Sequence, residues 1–146
     1  MTATKKLASL VIKNDLAELA QVSEIVEDIG QKHGISAEAL YAVNLALEEI
    51  LANVISYGYA DQGEHQIIVR FEMEGGDFVV EIEDDARPFN PLEAPPPEVE
   101  APLTEKPLGG LGIHLTRTMM DGMAYRRERE KNILTMRKKI AIDHKG

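Results

Sequence analysis

All seven prolines of this 146-residue chain lie between Pro88 and Pro107. Proline fixes its φ angle and lacks an N–H donor, so this stretch cannot form a regular helix or a central strand. A loop as long as residues 86–110 in a compact domain is usually functional or disordered. Regular secondary structure is therefore predicted on both sides of the loop, and the loop itself is a candidate functional element.

Apolar residues outside the loop recur with the periods of strands and helices. The predicted strands are residues 5–12, 65–74, 78–84, 123–128 and 132–140. The predicted helices are one that ends at Gly30 or Gly34, one with an N-cap at Ser36 that closes at Gly58, and one over residues 113–121. Consecutive antiparallel strands with grouped helices favour an α+β fold, a two-layer sandwich.

Composition and charge limit the possible function classes. The length fits one domain, residues 1–146. Cysteine is absent, which excludes disulfides, thiolate metal sites and cysteine nucleophiles and fits a reducing compartment. The net charge of −9 argues against direct nucleic-acid binding, and no apolar run approaches the ~18 residues of a membrane span. We therefore expect a cytoplasmic protein with neither a nucleic-acid nor a membrane partner.

The charges are unevenly distributed along the chain. Acidic residues concentrate in residues 48–100 and basic residues in residues 101–146. Two solvated faces would explain this pattern, and so would a basic end that helps to hold an anion.

The second predicted helix carries Glu49 and Asn53 four residues apart, so both side chains project from one face. That face lies away from the apolar stripe and also carries the small residues Ala42 and Ala46. A carboxylate and an amide with small neighbours suit a ligand, and Mg²⁺ prefers such oxygen ligands. The alternative interpretation is an ordinary solvated helix face.

Asp84 continues the apolar set Phe78, Val80 and Ile82 of the third predicted strand. Strand alternation therefore turns Asp84 toward the core and Asp85 outward. A carboxylate on an apolar face is costly unless it is hydrogen-bonded, and a ligand amino group would satisfy it. The alternative is a carboxylate that caps its own turn.

A glycine-rich segment, Gly109-Gly110-Leu111-Gly112, follows the loop and opens a predicted helix. Glycine lets the backbone approach a ligand closely. The N-terminus of a helix offers free N–H donors and a partial positive charge, which suit a phosphate. A flexible hinge would have the same composition.

In combination, these features resemble the N, G1 and G2 boxes of the GHKL ATPases. The matching segments are residues 45–59 (LALEEILANVISYGY), 82–92 (IEDDARPFNPL) and 109–115 (GGLGIHL). Within that superfamily the chain is similar to the small anti-sigma-factor serine/threonine kinases of the RsbW type, over nearly its whole length. The resemblance implies a Bergerat ATP-binding fold with a mixed, mainly antiparallel sheet, and an ATP lid at about residues 86–110.

The resemblance also implies roles for named residues. Glu49 would be the general base, Asn53 would bind Mg²⁺ and Asp84 would recognise the adenine amino group. The further ATP-binding residues that it implies are Ala86, Pro88 and Phe89 of the G1 segment and Gly109, Gly110, Leu111 and Gly112 of the G2 segment. The implied activity moves the γ-phosphoryl of ATP to a small anti-anti-sigma protein of the STAS type, in competition with a bound sigma factor. A homodimer is expected.

Three positions depart from the family pattern. Ala86 stands where the family usually has glycine, Leu108 where some members have arginine, and Tyr57 where some have histidine. The exchange at position 57 is a conservative aromatic change. The other two motivate an alternative function, a nucleotide-dependent protein-binding module without significant kinase activity.

Overall fold

The computed structural model describes residues 4–93 and 110–140. Its elements are β1 (Thr4–Lys13), α1 (Leu19–His33), α2 (Ala37–Tyr57), β2 (Gln66–Glu74), β3 (Asp77–Asp84), α3 (Gly110–Met119), β4 (Gly122–Glu128) and β5 (Lys131–Lys139). Short 3₁₀ turns lie at Leu16–Glu18 and Pro91–Glu93. The predicted order of strands and helices is confirmed. Residues 94–109 of the predicted loop lie outside the described part of the chain.

Local capping sets the helix bounds. Ser36 Oγ accepts a hydrogen bond from the backbone N–H of Ala39 (3.2 Å), as predicted for an N-cap. Of the two glycines considered as the end of α1, Gly34 takes this position, with a φ of 64°. The third helix begins at Gly110 rather than at residue 113, so its glycines lie in the first turn. Glycine is unfavourable chiefly in helix interiors, so the first turn can accommodate these residues.

The five strands form one sheet in the order β1-β2-β3-β5-β4. All four pairings are antiparallel. The expected antiparallel character is thus confirmed, whereas the expected mixed component is not found among the described strands. The register places Asp84 at the end of β3 directly opposite Asn132 at the beginning of β5. Two residues 48 positions apart in sequence therefore meet at one edge of the fold.

The core lies between this sheet and the helices. Its largest fully buried side chains include Phe71 and Phe78 from the sheet and Leu47 and Leu51 from α2. Burying each such side chain contributes about 1.5–3 kcal/mol. The opposite face of the sheet carries charged pairs, among them Arg70 with Glu81 (2.8 Å). The two-layer α+β architecture predicted from the sequence is confirmed.

Helix α2 is, among the described residues, the one helix long and apolar enough to cross a membrane by length and composition. The expectation that no apolar run approaches such a length is therefore wrong. The finding is weak evidence for a membrane span, because the core helix of a two-layer fold passes the same test. Val43, Leu47 and Ile50 of α2 are buried in the same core cluster as the strands, which accounts for its apolar character.

Candidate functional site

A pocket with about 730 Å³ of empty space, part of it open to solvent, lies where the C-terminal half of α2 meets the ends of β3 and β5. Apolar walls come from Ile50, Ile82 and Leu134. Polar groups come from Asn53 on α2 and from Asp84 on β3. A mostly apolar concavity of this size with a few polar groups is typical of a small-molecule site.

Asp84 is the buried acid of this pocket, with only 5% of its surface exposed. Its Oδ1 accepts two hydrogen bonds, from the backbone N–H of Ala86 (3.0 Å) and from Asn132 Nδ2 (2.9 Å). Burial raises the pKa of Asp84, and these hydrogen bonds only partly oppose the rise. The inward orientation predicted from strand alternation is confirmed. The alternative interpretation also holds in part, because the bond from Ala86 is a local turn.

Asp85 points away from the pocket, as predicted, and belongs to a separate polar cluster. Its Oδ2 lies 3.0 Å from Nδ1 of His65, whose Nε2 lies 2.8 Å from Asp61. The His65 ring stacks on Tyr59 at 4.2 Å between ring centroids. The hydrogen bonds to Asp61 and then to Asp85 raise the pKa of His65. The cluster thus joins the segment after α2 to the segment after β3, where Asp84 lies.

Tyr59 packs its hydroxyl into this same region. Burial, followed by the negative charges of Asp84 and Asp85, raises the pKa of the Tyr59 hydroxyl. Within the described residues this oxygen is buried and makes no hydrogen bond of standard geometry, although Asp85 is close enough to affect its pKa. The hydroxyl therefore stays protonated at neutral pH.

Asn132 was missed in the sequence analysis, although it hydrogen-bonds both to Asp84 and to the backbone of the segment that follows it. Its amide group donates to Asp84 and to the backbone oxygens of Ala86 (3.2 Å) and Arg87 (3.0 Å). A signal was present, because strand alternation places Asn132 on the same side as the apolar Leu134 and Met136. A buried amide in a row of apolar side chains needs hydrogen-bond partners, as a buried acid does.

A backbone hydrogen bond joins the segment after β3 to the end of α2. The backbone N–H of Arg87 donates to the Gly58 oxygen (3.0 Å). A Cβ atom at Gly58 would lie 2.8 Å from the Cβ of Ala86, so only glycine allows this close approach. Ala86 is buried and lines the pocket together with the exposed Phe89. Pro88 is exposed and is not among the residues that line the pocket.

Asn53 and Glu49 occupy different surroundings on α2. Asn53 is half-buried and lines the pocket. Glu49 is half-buried one turn earlier, outside the pocket lining, and lies against α3. A Cβ atom at Gly112 would lie 2.7 Å from Cδ of Glu49 and would overlap its Oε2. The solvated helix face considered in the sequence analysis is therefore wrong for this part of α2, since Ala42 and Ala46 are also buried.

The glycine-rich segment is only partly described. Gly109 lies outside the described residues, whereas Gly110, Leu111 and Gly112 form the first turn of α3. The close approach of Gly112 to Glu49 brings this first turn beside the helix face that carries Asn53. The N-terminus of α3 and the polar face of α2 are thus neighbours.

A metal ion bound by several side chains is not indicated within residues 4–93 and 110–140, where no group of three or more His, Asp or Glu is suitably placed. Mg²⁺ in nucleotide sites usually keeps several waters and takes only one or two protein ligands in addition to phosphate oxygens. A single amide oxygen at the pocket, that of Asn53, fits this kind of site.

Comparison with known proteins identifies a family. The sequence model of the family described as "Histidine kinase-like ATPase domain" matches residues 12–138. The "Anti-sigma F factor" of Clostridium botulinum (strain Eklund 17B / Type B) is 30% identical over 105 residues, which are 68% of this chain and 71% of that protein. The "Serine-protein kinase RsbW" of Listeria innocua serovar 6a is 25% identical over 116 residues, 77% of this chain and 73% of that protein.

Solved structures support the fold alone, because their sequence identities are low. The RsbU and RsbW domains of Rv1364c from Mycobacterium tuberculosis align with a TM-score of 0.62 and 13% identity, over 92% of this chain and 33% of that chain. The histidine kinase domain from Erythrobacter litoralis EL346 aligns with a TM-score of 0.54 and 17% identity, over 84% of this chain and 60% of that chain.

Proposed function

Because the chain belongs to the family of histidine kinase-like ATPase domains, we propose that it is an ATP-dependent serine/threonine protein kinase that acts as an anti-sigma factor. It phosphorylates an anti-anti-sigma protein of the STAS type and, in the alternative state, holds a sigma factor. The names of two relatives, an anti-sigma F factor and a serine-protein kinase, support both parts. The structural observation that carries the proposal is the buried Asp84 carboxylate beside an apolar pocket.

Asp84 recognises the adenine base. Its Oδ1 is engaged by Ala86 and Asn132, whereas its Oδ2 has no hydrogen-bond partner among the described residues. A buried carboxylate oxygen favours a donor, and the exocyclic amino group of adenine is one. Ile50 and Ile82 offer the apolar surface that a planar base requires. Ala86 and Phe89 border the same space, and Pro88 orients their segment from outside.

The polyphosphate extends from this pocket toward the N-terminus of α3. Unpaired backbone N–H groups in the first turn of a helix stabilise an anion, and Gly110, Leu111 and Gly112 supply that turn. Gly109 precedes it in the sequence. The resemblance implies an ATP lid at residues 86–110, of which residues 94–109 lie outside the described part of the chain. Asn53 is the protein ligand of Mg²⁺, which would neutralise phosphate charge when bound.

Glu49 is the general base. It lies one helical turn before Asn53 and directly beside the first turn of α3, and thus near the phosphate end of the proposed site. A carboxylate there can accept the proton of the partner's serine or threonine hydroxyl as that oxygen bonds to the γ-phosphorus and the bond from the γ-phosphorus to the leaving ADP breaks. Such proton transfer typically contributes about 10²–10⁴ in rate.

The wider regulatory scheme rests on the sequence resemblance rather than on the geometry. The proposal includes competition between a sigma factor and a STAS partner. It also includes a homodimer, a cytoplasmic location and a single ATPase domain over residues 1–146.

A second candidate function is a nucleotide-dependent binding module without significant kinase activity. The specific observation in its favour is the methyl group of Ala86, which is buried against Gly58 where the family usually has no side chain. Leu108, the other departure, lies outside the described residues.

Titration calorimetry with Mg-ATP tests the nucleotide site, and the expected dissociation constant is on the order of 1 μM. Asp84→Asn should weaken binding by about tenfold or more, because a charge-assisted acceptor is lost. Asp85→Asn is the matched control and should bind like the parent, since Asp85 faces His65 outside the pocket. Equal losses in both variants would contradict this site. Transfer of radiolabel from ATP to a purified STAS protein then separates the kinase from the binding module.

A further inference from the structure

Asn132 occupies the centre of a hydrogen-bond cluster in which only Asp84 has a role proposed above. Its side chain is buried, with 6% of its surface exposed. Tyr125 Oη and Arg127 Nη1 (2.9 Å) both approach its Oδ1 from β4. On the other side, its Nδ2 approaches Oδ1 of Asp84. The cluster therefore links two strands to the acid at the end of a third.

The orientation of the Asn132 amide follows from chemistry. Arginine can only donate hydrogen bonds, so the Asn132 atom that faces Arg127 is the oxygen. The nitrogen must then face the opposite side, where its three hydrogen-bond partners are all acceptors: one carboxylate oxygen and two backbone oxygens. The amide cannot be rotated by 180° without placing oxygen against oxygen on that side and nitrogen against a cation on the other.

This orientation determines what Asp84 presents to the pocket. The donors nearest to Asp84 are the Asn132 amide and the Ala86 N–H, and both bind its Oδ1. The remaining oxygen, Oδ2, has no partner among the described residues. It is not sealed from solvent either, because the only fully buried side-chain N or O atom without a partner in that part of the chain is the Tyr59 hydroxyl. Asp84 thus presents an acceptor and no donor to the pocket.

We infer that Asn132, held in place by Tyr125 and Arg127, is a positioning residue that directs one acceptor oxygen of Asp84 into the pocket and thereby selects a base with an exocyclic amino group over one with an oxo group. The inference rests on the proposed nucleotide site and assigns its base specificity to a residue on β5. An oxo group would meet Oδ2 acceptor against acceptor, and such mismatched pairs are a strong source of discrimination.

The protonation state of Asp84 supplies an independent readout. Burial raises its pKa, and the hydrogen bond from Asn132 is the first of the contacts that oppose the rise. The other groups that act on it are Asp85 on the adjoining segment, Arg127 on β4 and Tyr59 after α2. Without Asn132, Asp84 should take up its proton at a higher pH. A protonated Asp84 is a donor, so it would accept an oxo base.

The experiment compares Mg-ATP with Mg-ITP, whose purine carries an oxo group in place of the 6-amino group and an N1–H donor in place of the N1 acceptor of adenine. Calorimetry is carried out on the parent, on Asn132→Leu and on Tyr125→Phe between pH 5 and 8. We expect Asn132→Leu to reduce the preference for ATP by about tenfold or more. The pH at which ATP affinity declines on acidification should also move upward. Tyr125→Phe removes one of the two donors to the amide oxygen and leaves Arg127 in place, so it should give a smaller change in the same direction.

Thr135→Val is the matched control, because Thr135 lies on the same strand but on the opposite face, paired with Glu81 and Ala124. It should keep the parent's preference and pH profile. An unchanged ATP-to-ITP ratio and pH profile in both Asn132→Leu and Tyr125→Phe would overturn the inference while leaving ATP binding intact. If Asn132→Leu does not fold, the result for Tyr125→Phe decides. A parent protein that binds neither nucleotide would overturn both the inference and the proposed site.

Discussion

The contact between α2 and α3 can be tested by adding one methyl group at Gly112, with the substitution Gly112→Ala. Gly112 lies so close to Glu49 that an added Cβ would be 2.7 Å from Cδ and 3.3 Å from Cγ of that side chain, and would overlap Oε2. Gly112→Ala therefore forces either the carboxylate or the first turn of α3 to move. Both are parts of the proposed phosphate end of the site.

Two opposing effects set the size of the change. At the first turn of a helix, replacing glycine by alanine stabilises by less than the ~1 kcal/mol typical of helix interiors. Overpacking a close contact costs about 1–3 kcal/mol, and we expect the lower end here because the atoms in the way are the outer atoms of the half-buried Glu49 side chain. We expect overpacking to win, with a net loss of up to about 1 kcal/mol in the free energy of unfolding.

Urea denaturation of a double-mutant cycle measures this effect directly. Glu49→Ala removes the obstructing side chain, so Gly112→Ala should be neutral or stabilising in that background. The expected coupling energy is about 1–2 kcal/mol, within the usual range for residues in contact. Gly76→Ala is the control, since no atom lies within 4 Å of its added Cβ, and it should leave stability nearly unchanged. A Gly112→Ala protein as stable as the parent, with no coupling to Glu49, would refute the close approach of the two helices.

Three further predictions concern other parts of the chain. Glu49→Gln should keep ATP affinity within a few-fold but lower phosphoryl transfer by about 10²–10⁴, and transfer at the parent rate would contradict the role of Glu49 as general base. Arg129→Asn combined with Glu130→Gly should raise the free energy of unfolding by about 1 kcal/mol, because both residues have positive φ (50° and 65°) in the β4–β5 turn. A lower urea midpoint would contradict this. The pKa of His65 is raised above 6.5, so its stabilising contribution is complete below that pH and is lost as the pH rises through the higher folded-state value. The urea midpoint of the parent should therefore decline relative to that of His65→Gln above pH 6.5, whereas parallel curves would count against the ion pairs of His65.

Much of the site could be predicted from the sequence because local periodicity carries the necessary information. Alternation along 78–84 is enough to turn Asp84 inward and Asp85 outward, since successive strand side chains point to opposite faces. The four-residue spacing of Glu49 and Asn53 is enough to place them on one helix face. Ser36 is an N-cap because its hydroxyl accepts a hydrogen bond from the backbone of the first turn of the same helix. Each of these predictions depends on neighbours within a few residues.

The tertiary structure alone decided which of these local units meet. The opposition of Asp84 and Asn132 follows from the β3–β5 register, which depends on burying the apolar faces of both strands at once. The contact of Glu49 with Gly112 depends on how α3 packs on α2. The pairing of His65 with Asp85 depends on the relative positions of the segments that follow α2 and β3. Such pairings are selected by the summed burial and hydrogen bonding of the whole domain, so no short stretch of sequence contains them.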